Sequence, residues 1–299
     1  MEFLNRMSEA IGYMEDHILE DFDLNDASRI VCLNSYQFSR VFSCIFGMTP
    51  INYVRARRLS LAALELQAGR AKVLDTALKY GYSSPEAFAR AFRELHGISP
   101  REACARGARL RMFPRIALQI TVKGDTDMEY RMEERGVIHG LGITRNFGQW
   151  RVRSEEDTWM ERMGERWAFW DEYLNGGMDR KIADLGLYRS PFYQMGVTHV
   201  CDNGDIVESI GAESDGNEYE GLEPFEIPAA TWAVFTAKGS LGGKDHPIDA
   251  LATRIFTEWM PSSGYEKAME YEIQVYGPGN SQSEDYACEL WIPVKKKKR

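Results

Sequence analysis

Two stretches of this chain are one stretch written twice. Residues 27–50 and 77–100 match at a constant offset: Ala27 with Ala77, Phe38 with Phe88, Arg40 with Arg90, Phe42 with Phe92, Gly47 with Gly97, Thr49 with Ser99, and Pro50 with Pro100. A fixed register of this kind limits the fold more than any composition value, because each copy has to make the same small unit. The matched residues say what that unit is. Phe38 and Phe42 stand four apart, one above the other on a helix, as do Phe88 and Phe92. A glycine then suits the left-handed position after a helix, and Thr-Pro or Ser-Pro caps and starts the next one. A short helix, a tight turn and a second helix are predicted in each copy.

The surrounding pattern fills in the first third of the chain. Leu4, Met7, Ile11, Met14 and Ile18 give residues 3–20 one apolar helical stripe. Asp23 caps a short helix over 24–32, and Asn34 or Ser35 caps the next, to about Phe46. A long helix over 50–68 carries Arg55, Arg57 and Arg58, which are either phosphate contacts or a solvated face. The second copy predicts helices over 73–80, 85–96 and 100–108. Arg40 and Arg90 lie between the phenylalanines, on the face opposite to them; Tyr36 and Ser39 share that face in the first copy, Glu86 and Ala89 in the second. A lone exposed arginine is most simply a solvated residue. Two at the same place in repeated helices fit a guanine edge or a phosphate better.

Charge divides the chain at the same boundary. The net charge of −9 argues against nucleic acid by itself, but residues 1–111 carry 15 Lys/Arg against 13 Asp/Glu, and the rest carries 21 against 32. A near-neutral first third with local basic residues and an acidic remainder suggest two jobs. Five dispersed cysteines without a C-x-x-C speak for reduced thiols and against zinc. The absence of a long apolar run or a secretory leader predicts a cytoplasmic chain with no membrane partner.

Residues 1–108 resemble the AraC/XylS-type DNA-binding domain, through "LNSYQFSRVFSCIFGMTPINYVRARRL" (33–59) and, more closely, "ALKYGYSSPEAFARAFRELHGISPREAC" (77–104). The resemblance implies an all-α domain of two helix-turn-helix units joined by a long helix, with recognition helices in successive major grooves of double-stranded promoter DNA. It implies Tyr36, Ser39 and Arg40, then Glu86, Ala89 and Arg90, as base-facing positions. RNA polymerase is the further partner that it implies, with activation more often than repression.

Residues 109–127 read as a structured join holding a strand, from the alternation of Ile116, Leu118 and Ile120. Beyond it, strands are predicted at 130–144, 183–188, 192–201, 221–227, 231–238, 271–276 and 285–294, with helices at 155–173 and 248–259. The order suggests an α+β domain that is internally duplicated. No catalytic constellation or metal spacing stands out, and no cofactor is implied. Glu289 and Trp291 share one face of a strand in "DYACELWIPVKK". A carboxylate beside aromatic rings suits a cationic, apolar small molecule, although a solvated edge glutamate is the plainer reading.

The stretches "EERGVIHGLGITR" (133–145), "IPAATWAVFTAKG" (227–239), "RIFTEWMPSSGYE" (254–266) and "DYACELWIPVKK" (285–296) resemble the GyrI-like effector-binding domain. That resemblance spans about 113–295 and gives an effector domain over 128–299. It implies a small cationic or amphipathic effector in a groove between two related halves, with Glu289 as a ligand contact. Tyr271, Tyr188, Trp150, Phe147, Trp232 and Trp291 are candidate walls. Gln274 stands where the family often has an acid, so a doubly acidic pocket is not implied. The expected function is a ligand-responsive transcription regulator, not an enzyme. The alternative is a small-molecule hydrolase of this fold with Glu289 as general base.

Overall fold

Five helices of the first third begin at a side chain that caps them. The computed structural model describes residues 2–20, 23–69, 71–105, 107–116, 128–149, 159–242 and 246–297. They cluster into two units, one formed by residues up to 116 together with 159–162 and one formed by 128–149 and 163–297. In the first, α1 spans Glu2–Asp16. Helix α2 (Leu24–Ile30) starts at Asp23, whose carboxylate accepts from the Asn25 N–H at 2.8 Å. Helix α3 (Ser35–Phe46) starts at Asn34, whose side chain accepts from Gln37 N–H at 2.8 Å. Gly47 then takes φ 70°, the left-handed value that a side chain resists, and α4 (Pro50–Gln67) starts at Thr49 with Pro50 in its first turn.

The second copy is built alike. Helix α5 (Val73–Lys79) is followed by α6 (Pro85–His96), capped by the Ser84 hydroxyl and ended by Gly97 at φ 77°. Helix α7 is only Pro100–Ala103, shorter than the 100–108 expected, and opens on a capping box between Ser99 and Glu102. After Ala103 the chain has only small or polar side chains up to Ala108, so nothing holds a further turn onto the core. The repeated phenylalanines are all fully buried. Phe38 meets Phe42 edge-on with centroids 5.6 Å apart, and Phe88 lies 5.4 Å from Phe92.

The segment after α7 is anchored rather than paired. The Phe113 N–H donates to Ser60 Oγ at 2.9 Å, the Ile116 N–H donates to the Tyr53 hydroxyl at 3.3 Å, and Arg57 donates to Phe113 O at 2.8 Å. Residues 113–116 therefore use side chains of α4 in place of a neighbouring strand. The rest of the strand expected here lies outside the described residues.

The second unit is one sheet. Its strands are β1 (Tyr130–Arg135), β2 (Ile138–Gln149), β3 (Gln194–Val200), β4 (Asp205–Glu213), β5 (Glu223–Ile227), β6 (Ala230–Lys238), β7 (Tyr265–Lys267), β8 (Tyr271–Tyr276) and β9 (Ala287–Lys296). Helix α8 (Trp159–Asn175) and helix α9 (Met178–Asp184) lie between β2 and β3; α10 (Pro247–Arg254), widening into a π-helical turn at Ile255–Trp259, lies between β6 and β7. The spatial order is β1-β6-β9-β8-β3-β4-β2-β5, with β7 beside β9. Outward from the central β8–β3 pair, β9, β6 and β1 on one side answer β4, β2 and β5 on the other.

Four sequence expectations change here. The stretch predicted as one strand over 130–144 is two, broken at Gly136-Val137, because β1 pairs with β6 and β2 with β4 and β5. The strand predicted over 183–188 is the end of α9 and a turn, with Ile182 and Leu187 buried under it. Strand β4 was not predicted: Glu208 interrupts the apolar face of "DIVESIGAE". The short β7 was not predicted either.

The sheet separates two cores. Phe147, Phe169, Tyr173, Ile182, Leu187 and Ile210 form one, beneath α8 and α9. On that side too, Trp259 of the π-helical turn meets Phe235 at 5.0 Å. The other face carries Phe192, Met195, Trp232, Ile273 and Trp291, together with Ile138 and Ile227. Ile138 and Ile227 come from the β2–β5 end and Trp232 and Trp291 from the β6–β9 end. Strand β5 ends at Ile227 and β6 begins at Ala230, although they stand near opposite ends of the strand order, so the sheet is curled.

Candidate functional site

The first unit offers the repeated helix faces. On α6, Glu86 and Arg90 are exposed and Ala89 is half-buried, as the spacing predicts. On α3 the expectation fails. Tyr36 and Arg40 are each only 4% exposed and Ser39 is fully buried. The Arg40 guanidinium sits 5.3 Å above the Tyr36 ring and donates to its hydroxyl at 3.5 Å. Helical periodicity identifies the face that packs on the phenylalanines. It does not determine whether the opposite face is left to solvent, and in α3 it is enclosed.

The arginines of α4 divide as well. Arg57 forms a bidentate pair with Glu15, at 2.7 and 2.9 Å, with both side chains largely buried. Arg58 donates to the carbonyls of Ile18 and Glu20, each at 2.6 Å. Both tie α4 to the end of α1 and the turn after it, so they are structural donors. Burial would raise the Glu15 carboxyl, but hydrogen bonds from Arg57 and Tyr53 outweigh it and hold Glu15 below its ordinary range. Tyr53, buried and bonded to Glu15, is pushed up to about 12.

The second unit offers the inner face of the curled sheet. Strand register builds it. Val234 stands opposite Trp291, Thr236 opposite Glu289, and Trp232 opposite Pro293, while Ile273 stands opposite Trp291 from the other side. Strand β1 adds Arg131 opposite Val234 and Glu133 opposite Trp232. With a side-chain period of two, all of these point the same way. Trp232 and Trp291 are fully buried, with ring centroids 6.4 Å apart, and Phe192 closes on Trp291 at 4.9 Å.

Glu289 stands at the edge of this aromatic core with its oxygens engaged. Arg131 donates to both of them, at 2.7 and 2.9 Å, and Trp291 Nε1 donates to Oε2 at 2.9 Å. Arg131 also donates to Glu133 at 2.7 Å, and Glu133 accepts from Arg135 at 2.7 and 3.0 Å. Both guanidinia cover the Trp291 ring, Arg131 at 5.5 Å and Arg135 at 5.8 Å. The hydrogen bonds that it donates to Glu289 raise the Arg131 pKa further, so it stays charged at any accessible pH. Burial would raise the Glu133 carboxyl, but its bonds to Arg131 and Arg135 prevail and lower it. A carboxylate already accepting three hydrogen bonds is poorly placed to act as a general base.

Of the seven expected ligand contacts, the structure brings four to the inner-face core or its edge: Glu289, Trp291, Trp232 and Tyr271. Tyr271 stacks on His199, with centroids 4.2 Å apart and planes 10° from parallel. Tyr188 and Phe147 belong instead to the core under α8 and α9. There Tyr188 shares a 2.6 Å hydrogen bond with Tyr173 and donates to Asp179 at 2.5 Å. Their aromatic character was legible; the side of the sheet was not. Trp150 lies outside the described residues. Sequence reading missed Arg131, Glu133 and Arg135, although the alternation of "YRMEER" places all three on one face. Among the described residues no cluster of His, Cys, Asp and Glu could hold a metal ion, and no helix is long and apolar enough to cross a membrane.

Comparison with known proteins gives both units a context. A helix-turn-helix domain family matches residues 27–106, and the GyrI-like small molecule binding domain matches residues 178–295. The chain is 36% identical over 94 residues to the HTH-type transcriptional activator AarP of Providencia stuartii, covering 31% of this chain and 70% of that one. It is 30% identical over 297 residues to the Right origin-binding protein of Escherichia coli K12, covering 95% of this chain and 96% of the relative. Among solved structures, SAV2435 bound to tetraphenylphosphonium is 19% identical with a TM-score of 0.46, covering 56% of this chain and 94% of that one.

Proposed function

We propose a function from one premise: the chain belongs to the AraC-type helix-turn-helix family and carries a GyrI-like small-molecule binding domain. The chain is thus a transcriptional regulator of that architecture, and the finer reading is ours. The pairs α2–α3 and α5–α6 are two helix-turn-helix units; α6 presents its open face to a major groove of promoter DNA, and α3 reaches the successive groove once its enclosed outer face is uncovered. The mirrored strand order outward from β8 and β3 is what an internal duplication leaves, with one half contributing β2–β4 and the other β6, β8 and β9. A small effector binds on the inner face of the sheet, among Trp232, Trp291 and Glu289, and alters promoter binding in the cytoplasm. RNA polymerase contact then makes the chain an activator.

The observation that carries this reading is the pairing in one chain of repeated capped helices with an aromatic, carboxylate-edged sheet face. One specific observation favours a second DNA target. A relative aligned through both units is named for binding an origin, so an origin in place of a promoter is the competing reading. Selection of bound DNA from a random pool, with and without candidate effectors, tests both. Recovered sites that map upstream of genes, and that change with an effector, support the regulator. Enrichment at an origin alone supports the second reading, and no enrichment over unselected DNA rejects both.

A further inference from the structure

A lipophilic cation needs two things from a pocket of this kind: a carboxylate to neutralise it and the face of an aromatic ring to lie on. The inner face of this sheet has both, and the chain itself occupies both. Arg131 takes the two oxygens of Glu289 in a bidentate pair, at 2.7 and 2.9 Å. Its guanidinium and that of Arg135 lie over the Trp291 ring, at 5.5 and 5.8 Å. Glu133 bridges the two arginines. Two carboxylates meet two guanidinia, so the cluster is neutral before any ligand arrives.

We propose that Arg131 is the specificity determinant of this site, a resident cation that excludes lipophilic cations and leaves the site to an uncharged aromatic ligand bearing a hydrogen-bond acceptor. This rests on the reading of the inner face as the effector site.

Competition decides the point. Arg131 is tethered, so its effective concentration at Glu289 is on the order of millimolar or higher. A free cation at micromolar concentration has to outbid it for both the carboxylate and the ring. Exposure does not rescue the newcomer. The pair is partly exposed, 43% for Arg131 and 25% for Glu289, and an ordinary exposed ion pair is weak. This one is bidentate and stacked, and its carboxylate also accepts from Trp291 Nε1. An uncharged ligand has no such contest. A donor is at hand for its acceptor: Trp232 Nε1 is buried beside Trp291 and has no hydrogen-bond partner among the described residues. A buried N–H left without an acceptor is costly, and an acceptor atom on the ligand would relieve it.

Two probes of similar shape separate the charges: tetraphenylphosphonium, a monocation, and triphenylphosphine oxide, neutral with a strong acceptor oxygen. Calorimetric titration of the full chain should show the oxide binding at least tenfold more tightly than the cation. Arg131→Gln should strengthen cation binding tenfold or more, and Arg131→Gln with Glu289→Gln should remove that gain. Arg131→Lys keeps the charge but loses the bidentate, stacked geometry, so its cation binding should fall between those of the parent and Arg131→Gln, which separates the loss of this geometry from a loss of fold. Trp232→Phe should weaken the oxide and leave the cation unchanged. If the parent binds the cation as tightly as the oxide, and Glu289→Gln weakens it, Arg131 yields to ligands; the inference is then wrong while the effector site stands. If no variant binds either probe, the inference and the effector-site reading fall together.

Discussion

Arg90 is exposed on α6 with Glu86 beside it, and in the proposed reading DNA recognition depends on it most directly. Arg90→Ala should weaken specific binding by about 1–3 kcal/mol, roughly ten- to a hundredfold, and relax preference at one base position. Fluorescence anisotropy against a selected site measures it, and an unchanged Kd would remove Arg90 from base contact. Arg40→Ala should show first in stability, since Arg40 is enclosed against Tyr36. His96 sets a pH dependence. It is buried, its Nε2 lies 3.2 Å from Leu59 O, and burial lowers its pKa below the ordinary 6.5. The unfolded chain then takes up a proton below pH 6.5 that the folded chain refuses. This contribution to stability is full above pH 6.5 and lost as pH falls towards the folded pKa, by at most about 1.4 kcal/mol per pH unit. His199 is shifted the same way in the second unit. Urea melts of His96→Phe beside the parent at pH 7.5 and 5.5 isolate the His96 part, and a variant that loses as much stability as the parent would contradict it.

At the scale of elements, glycines decide how closely strands approach. Gly142 on β2 faces Gly211 on β4, and a Cβ on Gly142 would fall 2.0 Å from Ile210 O. Backbone cannot move aside as a side-chain tip can. Gly142→Ala should therefore destabilise the second unit by on the order of 3 kcal/mol, as overpacking does, while Gly136→Ala, which meets nothing within 4 Å, serves as the control. Thermal melts that do not distinguish the two variants would refute the close approach. The buried pair on the helix side is a second test of packing. Arg166 of α8 donates to Glu208 of β4 at 2.6 and 2.8 Å, with both side chains almost wholly buried. Arg166→Met leaves Glu208 charged and enclosed, and should cost about 3–5 kcal/mol in a urea melt. Glu208 also explains why β4 escaped sequence reading: alternation assigns a charged residue to solvent, whereas a cross-element partner permits it inside.

At the scale of the whole molecule, the two copies of the helix pair are alike in frame and unlike in face. Tyr36 and Ser39 on α3 answer Glu86 and Ala89 on α6. With the enclosed face of α3 uncovered, two such helices in one chain would read two different half-sites, so DNA selection should return an asymmetric site with half-sites about one helical turn apart. A palindromic consensus would show that one copy reads from each of two chains. The acidic second unit is not expected to add phosphate contacts, so the salt dependence of binding should match the few exposed basic residues of the first.

The sequence alone determined the helical unit almost in full. Caps, left-handed glycines and first-turn prolines act within a few residues of themselves, so a repeated local pattern yields a repeated local structure. It also put Glu289 and Trp291 on one face, because period two assigns them to one side of a strand. Tertiary structure decided the rest. Only pairing across the sheet showed that Tyr188 and Phe147 lie on the opposite side from Glu289. Only packing showed that the outer face of α3 is enclosed while that of α6 is open. Arg131 and Glu289 are 158 residues apart and meet because β6 stands between β1 and β9. Periodicity says which residues share a face; what that face meets depends on chain segments too distant for any local pattern to record.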